Sequence, residues 1–173
     1  MTADWLIPKE PPSDRALHEL SRHYPNVDAS AVQAVVSLLR AAVELHTASN
    51  QHFARYGLSQ ARFVVLIMLE TTSGGEMCCS DIAESVGVSR ATMTGLLDGL
   101  ERDGMVRRVD HPDDRRRVTV TLTANGRRLL QQMLPDHLRR IASVMANLSR
   151  DDRRKLGELL EKVRAGLPAL VNG

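Results

Sequence analysis

The sequence predicts a mainly helical fold carrying a helix-turn-helix and a small β-hairpin. Three observations lead there. An apolar stripe at helical spacing runs from Ser80 to Leu100 and is broken once, by Gly87. Two short alternating patterns between Met105 and Leu122 meet at a stretch rich in Pro, Asp and Arg. Longer helical stripes lie on both sides of this compact unit.

Within the unit, Ile82, Ala83 and Val86 form the stripe of a short helix. Gly87 stands where a helix end favours a left-handed residue. Ser89 is placed to cap a second helix, and Val88 and Met93 flank that cap as a hydrophobic staple. Met93, Leu96, Leu97 and Leu100 then follow i, i+3, i+4, i+7 spacing, so their face is expected to be buried. The opposite face carries Arg90, Ala91, Thr94, Gly95 and Asp98. Ala91 and Gly95 are small enough for the backbone to approach a partner surface. Two short helices, a tight turn and a small, polar outer face make a helix-turn-helix.

Gly104 is expected to end the second helix. Met105, Val106 and Val109 suggest one strand; Val118, Val120 and Leu122, alternating with Thr119 and Thr121, suggest another. The segment 110–117 between them contains the turn residues Pro112 and Asp113 and the run Arg115-Arg116-Arg117. Three arginines on a hairpin can reach phosphates or a minor groove. Asp114 is read as orienting Arg116 through a carboxylate–guanidinium pair. Arg107 and Arg108 are read as backbone-binding or structural.

GVSRATMTGLLDGLERDGMVRR followed by HPDDRRRVTVTLTANGRRLL resembles the winged helix-turn-helix of the MarR family of bacterial transcription regulators. The wing pattern of that family, an aspartate, one residue and an arginine, matches Asp114-Arg115-Arg116. The resemblance covers about residues 30–170. In one departure, Cys78 stands where the family often has a capping Thr, although Asp81 still follows at N3. The resemblance implies a mainly α fold: a winged helix-turn-helix with a small β-hairpin wing and long N- and C-terminal dimerisation helices that intertwine two copies. It also implies an effector pocket between those helices and the DNA-binding lobe. A small phenolic or aromatic acid, or a larger thioester, would bind there and change the spacing of the two reading helices. Arg40, His46, Asn50 and Arg62 lie on or beside the relevant helices and are the candidates to meet a carboxylate.

The remaining elements follow in order. The 173 residues suit one domain, or one with an appended helical part. Net charge is only +2, but residues 1–85 hold six Lys/Arg against ten Asp/Glu, and the rest hold 17 against 11. An acidic part and a basic part fit a protein that offers one face to DNA. Four prolines interrupt residues 1–27, leaving 14–23 as one short helix, and Trp5 is a candidate to pack on a partner subunit. Asp28 begins a long helix with Val32, Val35, Val36, Leu39 and Val43 on its stripe, ending near Gly57. Ser59 caps the next, which buries Phe63, Leu66, Ile67 and Leu69; residues 71–75 read as a loop. Thr123 caps a helix running to about Met145, with a kink expected at Pro135. Ser149 and Asp152 form a capping box for the last helix, which carries Leu156, Leu159, Leu160 and Val163.

The expected organisation is an N-terminal extension (1–27), a helical dimerisation region (28–57 and 123–173) and a DNA-binding unit (58–122). Ser89, Arg90, Ala91, Thr92 and Thr94 are the major-groove candidates, with Arg90 facing either a guanine or a phosphate. Arg115, Arg116 and Arg117 belong to the wing. No cofactor is expected, and the histidine spacings do not match the i, i+4 pattern of a helical metal site. No catalytic motif is present, so the chain does not read as an enzyme. No run is long enough for a membrane helix, and the two cysteines, Cys78 and Cys79, are neighbours rather than a disulfide framework, which suits the cytoplasm. The expected partners are double-stranded DNA, a second copy and the small effector. Two rival readings are a thiol-based redox sensor on the same scaffold and a helical protein-interaction module that does not touch DNA.

Overall fold

The computed structural model describes residue 10, residues 12–111 and residues 114–171, without the side chains of residues 14, 110, 111 and 114–117. Its elements are α1 (Asp14–His23), α2 (Ala29–Ala54), α3 (Gln60–Thr71), β1 (Glu76–Cys78), α4 (Cys79–Val86), α5 (Arg90–Arg102), β2 (Val106–His111), β3 (Asp114–Leu122), α6 (Ala124–Val144) and α7 (Arg150–Gly166). A 3₁₀ turn, Leu167–Leu170, follows α7. The mainly α winged helix-turn-helix expected from the sequence is the observed fold.

Local chemistry sets the helix starts. Ser13, Ser59, Ser89, Thr123 and Ser149 each accept a backbone N–H with the side chain, which satisfies a donor the helix leaves orphaned. Asp28 caps α2; hydrogen bonds from the Ser30 hydroxyl and the Ala31 and Ser30 amides hold its carboxyl below the usual range. Ser149 and Asp152 complete the reciprocal capping box. Cys78 occupies the N-cap of α4 and makes no side-chain cap bond. Helix α6 continues through Pro135, the position where the sequence predicts a kink.

The sheet has three antiparallel strands in the order β1-β3-β2. The hairpin β2–β3 follows from the alternation in the sequence. Strand β1 does not, and it corrects the two-stranded expectation. Its three residues carry no alternation of their own, and pairing to β3, Met77 opposite Val120 and Cys78 opposite Thr119, makes it a strand.

The core gathers around α3, whose Val65, Leu66 and Leu69 have no exposed surface. Helix α5 contributes Met93, Leu97 and Leu100, β2 and β3 contribute Val106 and Val120, and α6 contributes Leu130 and Met133. Helix α6 begins pressed against the start of β2. Thr123 donates its N–H to the Met105 carbonyl at 3.0 Å and its hydroxyl to the Gly104 carbonyl at 2.6 Å. A Cβ at Gly126 would overlap the Met105 carbonyl oxygen, so this crossing requires glycine.

The outer helices differ. Helix α7 buries no residue, and its stripe of Leu156, Leu159, Leu160 and Val163 is exposed. Leu138, Ile141 and Val144 at the end of α6 are exposed too. The sequence marks these stripes as faces to be covered; within one chain they are not. Among the described residues, no helix is long and apolar enough to cross a membrane.

Leu97 is fully buried in the helix that the core holds in place. Leu97→Ala is expected to destabilise the fold by about 2–5 kcal/mol, read from urea unfolding followed by circular dichroism. A loss well under ~1 kcal/mol would mean that α5 is not seated as described.

Candidate nucleic-acid interface

Gly87, at φ +73°, closes α4 in the left-handed conformation the sequence foresees. The Val88 amide returns to the Ala83 carbonyl at 3.0 Å, and the chain turns directly into α5. Ser89 receives the Thr92 N–H at 3.1 Å, and the two hydroxyls lie 2.9 Å apart. Thr94 gives its hydroxyl to the Arg90 carbonyl at 2.9 Å. Because Met93, Leu97 and Leu100 are inside, Ser89, Arg90, Ala91, Thr92, Thr94 and Gly95 form one exposed face. The five predicted groove residues are therefore brought together. Two hydroxyl groups bond to each other at the cap, and the Thr94 hydroxyl donates within the helix, which leaves Arg90 as the long cationic side chain on this face.

The wing is buckled to α5 by Arg108. Its Nη1 lies 2.6 Å from Asp98 Oδ1 and 2.8 Å from Glu101 Oε2, and Nη2 donates to the Thr94 carbonyl at 3.3 Å. Its backbone N–H also donates to Glu101, at 3.0 Å. Burial works against the charge, but the bonds to Asp98 and Glu101 outweigh it and hold the guanidinium more firmly protonated than usual. The side chain is 25% exposed, so the geometry of the multiple bonds matters more than their Coulomb strength. The structural role read for Arg108 is the observed one, although its partners are not legible in the sequence. The backbone of residues 114–117 opens β3 and is not a free loop tip. The orienting role of Asp114 and the contacts of Arg115, Arg116 and Arg117 lie outside the described side chains.

Between α5 and the sheet lies a cleft of about 400 Å³ lined by Cys78, Cys79, Arg90, Thr94, Asp98 and Arg108. Both cysteines are half-buried. Burial pushes the Cys79 thiol up, against the opposing influence of Arg108.

A second cleft separates α2, α3 and α6. Two adjoining hollows of about 450 and 640 Å³ share Leu45, Ser49, His137 and Ile141. Aromatic rings pack along it: Phe53 stacks on Phe63 at 4.5 Å, and His137 lies 4.8 Å from Phe63 and 5.3 Å from His52. Both His52 ring nitrogens and Gln60 Oε1 are buried with no hydrogen-bond partner among the described residues. Arg55, Arg139 and Arg140 stand at the wider end. Bonds from Arg140 and Arg139 pull the Asp136 carboxyl down to about 2. Among the described residues, no three His, Cys, Asp or Glu side chains gather as metal ligands.

Of the four effector candidates, only His46 and Asn50 are brought together, 3.0 Å apart on α2. His46 lines this cleft. Arg40 pairs with Glu44 at 3.7 Å on its own helix. Asn50 accepts the Gln60 N–H at 3.2 Å and donates to His46. Arg62 does meet a carboxylate, but it belongs to Asp103, at 2.7 Å. The residues that build the cleft, Phe53, Phe63, His52 and His137, belong to no motif that marks them as a site. Phe53 and Phe63 are the only phenylalanines in the chain, and that scarcity is the one signal of them in the sequence.

Comparison with known proteins gives concordant matches. A MarR family model matches residues 58–118. The HTH-type transcriptional repressor YetL of Bacillus subtilis is 33% identical over 159 residues, spanning 90% of this chain and 95% of YetL. The structure of Sco3205, a MarR family transcriptional regulator from Streptomyces coelicolor solved in complex with DNA, superposes with a TM-score of 0.76 at 24% identity, covering 82% of this chain and 93% of that one. Bordetella bronchiseptica BpsR, whose DNA binding is regulated by 6-hydroxynicotinic acid, superposes with a TM-score of 0.64 at 31% identity, covering 76% of this chain and 98% of BpsR.

The cleft predicts a pH dependence. Burial, then the neighbouring His52, lowers the His137 pKa, with Asp136 opposing. The folded chain then binds that proton less readily than the unfolded chain. Its contribution is intact above the ordinary imidazole value of 6.5 and is lost as pH falls through that value towards the lowered one. Between neutrality and about pH 5, the native protein is expected to lose more thermal stability than His137→Phe. Parallel melting-temperature curves would contradict this.

Proposed function

This chain belongs to the MarR family of transcription regulators, and from that premise we propose that it acts as a homodimeric repressor released from a palindromic operator by a small aromatic acid. The observation that carries the reading is the exposed face of α5. It holds Arg90 among small and hydroxyl residues, with the opposite face locked in the core and the wing tied on by Arg108. Small side chains let the helix backbone enter a major groove, and an N-terminal arginine suits a guanine edge or a phosphate. Arg115, Arg116 and Arg117 would grip the flanking minor groove, with Asp114 orienting Arg116.

Dimerisation has a physical argument of its own. Two apolar stripes, on α7 and on the end of α6, are uncovered within one chain, and leaving them in water costs about 25 cal/mol for each Å². Residues 28–57 and 123–173 would form the paired helical region, with 58–122 as the DNA-binding unit and 1–27 as an extension. Pairing would set two copies of α5 about 34 Å apart, one helical turn of DNA. The repressor role is the one YetL is named for. BpsR supports the effector class, since an aromatic acid regulates its DNA binding. The cleft between α2, α3 and α6 offers such a ligand stacked rings, buried polar atoms unpaired among the described residues, and arginines at its wide end. Release requires the ligand to prefer the non-binding arrangement by about 1–3 kcal/mol. A thiol-sensor role for Cys79 is disfavoured, because burial raises its pKa and so suppresses the reactive thiolate.

The test is selection of bound duplexes from a random pool, followed by affinity measurements over a salt series. When many phosphates are neutralised, affinity falls steeply with salt. Arg115→Ala with Arg116→Ala is expected to weaken binding and to lower the salt slope by about 1 for each phosphate that the pair engages. No enriched sequence and no binding at low salt would overturn the reading in favour of a protein-interaction module.

A further inference from the structure

We propose that Arg62 is a positioning residue that transmits occupancy of the α2–α3–α6 cleft to the reading helix α5. The proposal rests on the preceding reading of α5 and of the cleft, and adds the link between them.

The link starts in the wall of the cleft. His46 accepts a hydrogen bond from Asn50 at 3.0 Å, and Asn50 accepts the Gln60 N–H at 3.2 Å. The first turn of α3 is thus held by the wall that α2 contributes. Gln60 and Phe63 on that turn line the cleft, and Gln60 Oε1 is buried there without a partner among the described residues. The same turn reaches α5 on its other side. Arg62 donates to Asp103, the C-cap of α5, at 2.7 Å.

The seat of Arg62 is specific. Its guanidinium occupies the space a Cβ would take at Gly99, a buried residue of α5. Glycine inside a helix is less favourable than alanine, and here it admits the arginine. One turn of α3 therefore presents two residues to the cleft and one to the end of α5. A ligand that displaces Gln60 and Phe63 moves the anchor of Arg62, and Arg62 pulls on the capped end of the helix. Position between two sites does not by itself demonstrate coupling, so the test measures coupling and not stability.

Ser49 lines both hollows, and Ser49→Trp fills the cleft without requiring a known ligand. Ala42→Trp, from the same wall, is the second filler should the first not fold. Each filler is made in the full native chain, in Arg62→Gln and in Gly99→Ala. Gly99→Ala leaves Arg62 in place as a charge but removes its seat, while favouring the helix. The readout is amide hydrogen exchange across residues 90–102, followed by mass spectrometry. In the native background the filler is expected to change α5 exchange about fivefold or more. In both altered backgrounds the change is expected to fall below about twofold. An equal change in all three backgrounds would show that core packing transmits the signal and would overturn the proposal. No change in the native background would overturn it as well. None of these measurements uses DNA, so a failure of operator binding would sink the regulator reading while this result stood separately.

Discussion

The structure depends on one constraint: α5 must be immobile on one face and unobstructed on the other. Leu97 and Leu100 have no exposed surface and Met93 almost none, and close-packed interiors resist displacement of the elements they hold. The strands of the wing pack into the same core through Val106 and Val120. Arg108 adds a polar tie, engaging Asp98, Glu101 and the Thr94 carbonyl from the neighbouring strand. Helix and wing are thereby joined by both apolar packing and ion pairs. Preorganisation of this kind lowers the ordering entropy that binding would otherwise cost.

Helix α3 performs the complementary task. It is buried on several sides, it forms a wall of the aromatic cleft, and it touches the end of α5 through Arg62. On the proposal above, this shared helix passes a displacement in the cleft to the end of α5 through Arg62. In the cleft, His52 and Gln60 hold buried polar atoms without partners among the described residues, and burying such atoms unpaired costs about 1–3 kcal/mol each.

Much of this is legible in the chain. The helix-turn-helix announces itself because three local signals agree: the stripe through Leu100, the left-handed glycine at 87 and the cap at Ser89. The exposed apolar stripe of α7 is legible as a face needing cover, but periodicity cannot say whether that cover comes from the same chain. Strand β1 is illegible because its identity resides in β3, more than forty residues away. The cleft is hidden for the same reason, since Phe53 and His137 meet only after folding. Arg62 is the instructive case. A guanidinium placed to meet a carboxylate looks the same in sequence whether the carboxylate arrives on a ligand or on Asp103, and only Gly99, as the empty seat, distinguishes the two.

The central claim is that the exposed face of α5 reads a major groove, once per subunit. Methylation interference at guanine N7 on the selected duplex tests it most directly, because that atom is exposed only in the major groove. The account predicts two symmetric clusters of interference centred about 10 base pairs apart. A single cluster, or full binding to uniformly methylated DNA, would contradict it.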